Sequence, residues 1–155
     1  MPEIVSREIQ LTTRPNGLPD PSDFKLVENR LNPTASDIVV KNLYMSVDPA
    51  MRPALSNGQT KLDETMQGGA IGKVIASTSA EFPEGSYVIH RAGFREYHLS
   101  DGSDLNLITL EDESITTHLH ILGTTGLTAY GGLLVTGQLA DGENVFVSAA
   151  AGAVG

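Results

Sequence analysis

The chain has 155 residues, of which 40% are apolar and 19% charged, and 10 basic against 19 acidic side chains leave it at −9. That balance excludes a disordered chain, and the absence of cysteine excludes disulfides, thiolate metal sites and cysteine nucleophiles. An acidic chain without a Lys/Arg cluster is a poor partner for nucleic acid, and no apolar run approaches the roughly 20 residues of a membrane span.

In chain order, the first two thirds read as β structure. Strands are expected over residues 4–12, 24–28, 37–47, 69–77, 87–90 and 95–99, all short and rich in Val, Ile and Tyr. Turn chemistry separates them. Arg14-Pro15-Asn16-Gly17-Leu18-Pro19 reads as a loop, because Asn-Gly supplies positive φ and each proline blocks ladder pairing. Residues 48–65 mix Pro, Asn, Gly and charge and read as a loop with one helical turn. Pro83-Glu84-Gly85 is a further turn. Irregular strands without helical crossovers point to a small barrel or sandwich.

The pattern changes near Gly123. Leu127, Tyr130 and Leu134 recur at spacings of three and four, with Leu133 beside them, which predicts a helix over residues 124–139. Asp141-Gly142 makes a turn, and residues 144–149 read as a buried strand. Gly152-Ala153-Val154-Gly155 follows and matches the second half of a dinucleotide fingerprint, with Ala150 at the first glycine position. In such a turn Gly152 lets backbone approach a pyrophosphate, and Gly155 lets the next helix pack close to the strand. The spacing alone equally describes a glycine-rich strand end. A parallel sheet needs a crossover after this turn, so the chain is expected to be an N-terminal piece of a longer protein.

Other residues add a family resemblance. Leu127-Thr128-Ala129-Tyr130, followed by residues 144–149 and the glycine turn, resembles the medium-chain dehydrogenase/reductase superfamily. Within it, Val47-Asp48-Pro49-Ala50-Met51-Arg52 is similar to a motif of the leukotriene B4 12-hydroxydehydrogenase/prostaglandin reductase and curcumin reductase family. Arg14-Pro15-Asn16-Gly17 with Asp23-Phe24-Lys25-Leu26, and His98-Leu99-Ser100-Asp101-Gly102, resemble further segments of it. Ala50 stands where that family has tyrosine, and the stretch before Leu127 is shorter than the family's.

The resemblance implies a mainly β fold. A GroES-like irregular β-barrel domain would occupy residues 1–122, and the first helix and strand of a truncated Rossmann α/β domain residues 123–155. It implies NADPH-dependent reduction of activated C=C bonds in enones and alkenals, zinc-independent, with the isolated chain inactive. Alternatives are a zinc-independent quinone oxidoreductase of the same superfamily, or a non-catalytic GroES-like binding module. NADPH would meet Gly152, Ala153, Val154, Gly155 and Thr128, with most of its site beyond residue 155. A small enone, alkenal or quinone would lie near Asp48, Arg52 and Tyr130. A homodimer is expected for the full-length protein. The first 13 residues lack a signal-peptide stretch, so the expected location is cytoplasmic.

Each of these side chains also has a plainer reading. Asp48 and Arg52 are four apart and would pair on a helical turn, anchoring a loop or shaping a cleft. Tyr130 is a core residue of the helix stripe or a neighbour of the nicotinamide. No metal is expected: Gly68-Gly69-Ala70 stands where zinc-dependent relatives carry Gly-His-Glu, and His118 and His120, placed on one face of a strand, lack a third ligand. Met45, Met51 and Met66 read as gap fillers, and Glu111-Asp112-Glu113 as a solvated acidic turn. No residue is assigned as the catalytic acid.

Overall fold

Strand β1 (Ile4–Leu11) and strand β2 (Phe24–Leu31) pair antiparallel over their whole length, from Ile4 opposite Leu31 to Leu11 opposite Phe24. The computed structural model describes residues 1–110 and 113–155. They form two units, Met1–Thr109 and Leu110–Gly155. The loop joining β1 to β2 carries the Asn16-Gly17 turn and ends in a 3-10 turn, Pro21–Asp23. Asp20 caps that turn by accepting the Ser22 N–H at 2.9 Å, and Asp23 returns the bond by accepting the Asp20 N–H at 2.9 Å. β2 runs three residues past the expected end at Glu28, because β1 supplies a partner for each of them. Two exposed ion pairs start from β2: Lys25 pairs with Asp63 at 2.6 Å and Arg30 with Glu3 at 2.5 Å.

The second sheet of the first unit is antiparallel throughout. It contains β3 (Ile38–Met45), β4 (Ala70–Ala76), β5 (Tyr87–His90), β6 (Tyr97–Ser100) and β7 (Asn106–Ile108), in the order β6-β3-β4-β5-β7. Asn106–Ile108 was not among the expected strands, being only three residues long, and it is held by β5 through Tyr87, Val88 and Ile89. β3 lies inside the sheet, and Ile38, Val39 and Val40 are all buried. Residues on both faces of that strand are therefore apolar, and no alternation is seen there. A bulge between Asn42 and Tyr44 then shifts the register against β4.

Two apolar clusters hold the unit together. Ile38, Val40, Val74, Phe82, Val88 and Leu105 form the first. Leu11, Leu55 and Met66 form the second, with Ile9, Phe24, Met51 and Phe94 packed against it. Each such side chain contributes about 1.5–3 kcal/mol on burial. The helix α1 (Met51–Asn57) delivers Leu55 to the second cluster, as the one helical turn expected in residues 48–65.

The second unit differs from its sequence reading in three places. The expected helix over residues 124–139 is α2 (Thr124–Tyr130) followed by a π-helical segment, Gly131–Thr136. Gly131 and Gly132 lack side chains to hold the tighter spacing, and the Gly137 N–H reaches back five residues to the Gly132 carbonyl at 2.8 Å. Residues 144–149 are not a strand, since no ladder joins them, and Phe146 is 91% exposed. A strand needs neighbours for its backbone groups, and none is paired to this stretch. His118 lies in a 3-10 turn, Ile115–Leu119, with His120 as its cap rather than in a strand. Of the expected acidic turn, Glu111 and Asp112 lie outside the described residues.

Gly72 gives the sheet a test. A Cβ there would stand 2.3 Å from Val40 Cγ1 and 3.0 Å from the Lys41 carbonyl oxygen. Gly72→Ala is expected to cost about 1–3 kcal/mol by overpacking, read as a lower urea midpoint at unchanged slope.

Candidate functional site

The end of β3 leads into a loop built from the residues the sequence singled out. The Ser46 N–H donates to the Gly69 carbonyl at 2.9 Å, which holds the turn beside the start of β4. Ser46 Oγ donates to Asp48 Oδ2 at 2.8 Å, and the Met51 N–H donates to the Asp48 carbonyl at 2.9 Å to open α1. Arg52 turns the other way. Its Nε donates to the Gly17 carbonyl at 3.0 Å, its Nη2 reaches the same oxygen, and its Nη1 donates to Ser56 Oγ at 2.6 Å. Asp48 and Arg52 therefore do not pair. Helix α1 begins at Met51, so Asp48 lies outside it and the i,i+4 spacing does not hold.

Arg14 was read as part of a turn and of a family segment, and it also braces the same helix. Its Nη1 donates to the Leu55 carbonyl at 2.9 Å and the Thr60 carbonyl at 3.2 Å, satisfying the C-terminal end of α1 with a cation. Two arginines thus clamp the loop of residues 14–19 onto α1. At its tip Leu18 is 90% exposed.

A second constellation went unseen in the sequence. Asn42, opposite Gly72 in the ladder, donates from Nδ2 to the Ala92 carbonyl at 3.0 Å and the Arg95 carbonyl at 2.9 Å. Its Oδ1 lies 2.9 Å from His90 Nε2, while His90 Nδ1 accepts the Ala92 N–H at 3.1 Å. The backbone donor fixes the tautomer: the proton of neutral His90 sits on Nε2 and is donated to Asn42. Burial pushes the His90 imidazole down from 6.5 to about 4, helped by the neighbouring His98 and Arg95 and opposed by Asp104. The two histidine rings stack at 5.0 Å, and His98 Nε2 lies 2.7 Å from Asp104 Oδ2. Burial pushes the Asp104 carboxyl up, but the bonds from Ser100 and His98 outweigh it and leave it below its usual value. A sequence signal for this cluster was thin: Asn42 in a strand is unusual, and a polar residue there asks for buried partners.

Beside that turn the backbones cross closely. The Gly68 N–H donates to the Arg91 carbonyl at 2.9 Å, and the Gly93 N–H donates to the Gly68 carbonyl at 3.1 Å. A Cβ on Gly68 would stand 2.8 Å from Phe94 Cε2 and 3.3 Å from Met51 Cε. The Gly68-Gly69 stretch is thus a packing site against an aromatic ring and a thioether. Among the described residues no three His, Cys, Asp or Glu side chains are grouped to hold a metal ion. His118 Nε2 lies 3.3 Å from Glu113 Oε1.

In the second unit, Thr128 Oγ1 donates to the Thr124 carbonyl at 2.7 Å, and Tyr130 is 60% exposed rather than a core residue. Gly152, Ala153, Val154 and Gly155 are exposed. The turn is tight at its end: a Cβ on Gly155 would stand 2.5 Å from Ala150 Cα and 2.6 Å from the Ala149 carbonyl oxygen. Residues there fit a nucleotide pyrophosphate in kind, since a glycine lets backbone N–H groups come close to an anion. No strand leads into the turn among the described residues.

The family described as the N-terminal domain of oxidoreductase matches residues 7–108. The chain is 33% identical over 156 residues to the NADPH-dependent curcumin reductase of Escherichia coli, covering 97% of this chain and 45% of that protein. It is 38% identical over 143 residues to prostaglandin reductase 1 of Sus scrofa, covering 90% of this chain and 43% of that one. The crystal structure of CurA in complex with NADPH from Vibrio vulnificus superposes with a TM-score of 0.86 at 34% identity, over 96% of this chain and 46% of that chain. The chain spans less than half the length of the relatives it matches. Among the described residues no helix is long and apolar enough to cross a membrane.

Two outcomes test this geometry. His90 stays neutral in the fold at a pH where an unfolded histidine is protonated, so the unfolded chain binds more protons between pH 6.5 and about 4. Its stabilising effect is complete above pH 6.5 and declines as pH falls through that window, by about 3 kcal/mol in all. An NMR titration should show the His90 imidazole unprotonated at a pH midway through it. Separately, Arg52→Ala should weaken the clamp by about 1 kcal/mol after solvent screening, read as faster hydrogen exchange across residues 14–19 and 51–57.

Proposed function

The chain belongs to the family of oxidoreductase N-terminal domains, and from that premise we propose that it is the substrate-side part of an NADPH-dependent reductase of activated C=C bonds in enones and alkenals. The observation that carries this reading is a similarity extending over nearly the whole chain to a reductase named for NADPH and curcumin, and to a structure solved with NADPH. In this reading residues 1–122 form the substrate-side domain and residues 123–155 begin the cofactor domain.

NADPH, when bound, supplies the hydride that reduces the alkene. The chain's own residues bind and orient. Gly152, Ala153, Val154 and Gly155 would meet the pyrophosphate, and the Gly152 N–H, which donates to the Ala149 carbonyl at 2.8 Å, would have to be released from that bond to do so. Thr128, whose hydroxyl donates to the Thr124 carbonyl at 2.7 Å, would be the residue of α2 to hold the cofactor's carboxamide. On the substrate side, Asp48 is held by the Ser46 hydroxyl, and Arg52 fixes the loop of residues 14–19 against α1. Tyr130 presents an exposed phenol on α2. None of these groups is placed as the proton donor. The protein acts as a cytoplasmic homodimer in this proposal.

The test uses the gene product that carries this sequence. With NADPH and an α,β-unsaturated ketone it should consume both, giving a product two hydrogens heavier with its carbonyl intact. Oxidation of NADPH only with a quinone would replace this reading with a quinone reductase, and no oxidation with either would make the chain a binding module. Residues 1–155 alone should bind NADPH weakly and show no turnover.

A further inference from the structure

Phe94 adopts φ +60, the left-handed region that a bulky side chain rarely enters. The turn at residues 92–95 is held there from several sides. Asn42 takes the Ala92 and Arg95 carbonyls, and the Ile9 N–H donates to the Phe94 carbonyl at 2.9 Å. The Phe94 N–H has a sulfur partner. It donates to the thioether sulfur of Met45, at the end of β3.

Met45 differs from the methionines packed inside. It is 47% exposed, whereas Met66 is 5% exposed and sits in the second apolar cluster. A thioether sulfur carries two lone pairs. In Met45 one of them is occupied by the Phe94 N–H, which leaves the other free on a partly exposed side chain. We infer that Met45 is a peroxide-sensitive modification site whose oxidation to a single sulfoxide epimer releases the Phe94 turn. The step balances simply. The free lone pair attacks one oxygen of hydrogen peroxide, the O–O bond breaks, an S–O bond forms, and water leaves after proton transfer. Sulfur loses two electrons and the peroxide gains them.

The consequence follows from the same geometry. Once the sulfur carries oxygen, its remaining lone pair is drawn inward and accepts a hydrogen bond poorly. The new oxygen, a good acceptor, points away from the turn because it was added on the outer side. The Phe94 N–H then loses its partner, and a left-handed phenylalanine loses one of the bonds that keeps it in place. Phe94 also packs its ring over Gly68 and joins the second cluster, so the change reaches the start of β4. Met51 is the natural comparison, since its sulfur accepts the Asp48 N–H at 3.4 Å but the side chain is half-buried.

The experiment is limited oxidation of the 155-residue chain with hydrogen peroxide, followed by peptide mass spectrometry. Oxygen should appear on Met45 at least tenfold faster than on Met66. The two methionine sulfoxide reductases each act on one epimer. Only one of them should restore Met45, while both are needed to restore Met1 at the free terminus. In the oxidised protein the Phe94 amide should exchange at least tenfold faster, and Met45→Leu should show the same rapid exchange with no response to peroxide. Equal repair by both enzymes, oxidation of Met45 no faster than Met66, or an unchanged Phe94 amide after oxidation would each overturn the inference. The oxidised wild-type protein carries the test if Met45→Leu fails to fold.

Discussion

One amide side chain holds the turn through which the two sheets of the first unit are joined. Asn42 stands in the middle of β3 and satisfies two carbonyls of a turn some fifty residues away, while its oxygen receives the proton of a buried histidine. Through that turn the two sheets are joined. The Ile9 N–H of β1 reaches the Phe94 carbonyl, the Glu96 N–H reaches the Arg7 carbonyl at 3.0 Å, and Arg7 pairs with Glu96. An apolar residue at position 42 would leave buried carbonyls unpaired, and each such loss costs about 1–3 kcal/mol. Gly72 is the complement of this arrangement, because its missing side chain leaves the room that Val40 and Asn42 fill.

Polar groups are buried elsewhere in the first unit on the same terms. Glu8 is nearly inaccessible, yet its carboxylate accepts the Asn29 amide at 2.8 Å and the Thr65 hydroxyl. These bonds tie β1 to β2 on one side and to the segment before β4 on the other. The loop of residues 14–19 and helix α1 are joined instead by arginines that donate to carbonyls. A charged donor holds a loop without needing a complementary apolar face. The substrate-side surface proposed here is therefore supported by directional bonds as well as by the second apolar cluster.

Much of the architecture was legible because it rests on local chemistry. The strands announced themselves through runs of β-branched residues, and the turns through Asn16-Gly17 and Pro83-Glu84-Gly85. The last three residues of β2 and the three-residue β7 were not legible, since Asn29, Arg30 and Asn106 form strand only when a partner pairs their backbone. The same logic runs in reverse for residues 144–149, where a strong strand composition meets no neighbour and no strand forms. At the candidate site the motif Val47–Arg52 suggested the wrong bond. Spacing implied an Asp48–Arg52 pair, and the start of α1 at Met51 sends each side chain to a different partner. Asn42, His90 and Arg14 were missed because their roles depend on residues far away in the chain.

The charge along β2 bears on how the molecule behaves in company. β2 is the outer member of a two-stranded ladder, and a bare strand edge is an open template for another chain. Lys25 and Arg30 of that strand carry exposed ion pairs to Asp63 and Glu3. An incoming strand would have to strip water from these groups before it could form its first backbone bond. The ion pairs add little to stability as exposed contacts. Their larger effect is to surround the strand with hydrated charge, which makes pairing with another chain unfavourable.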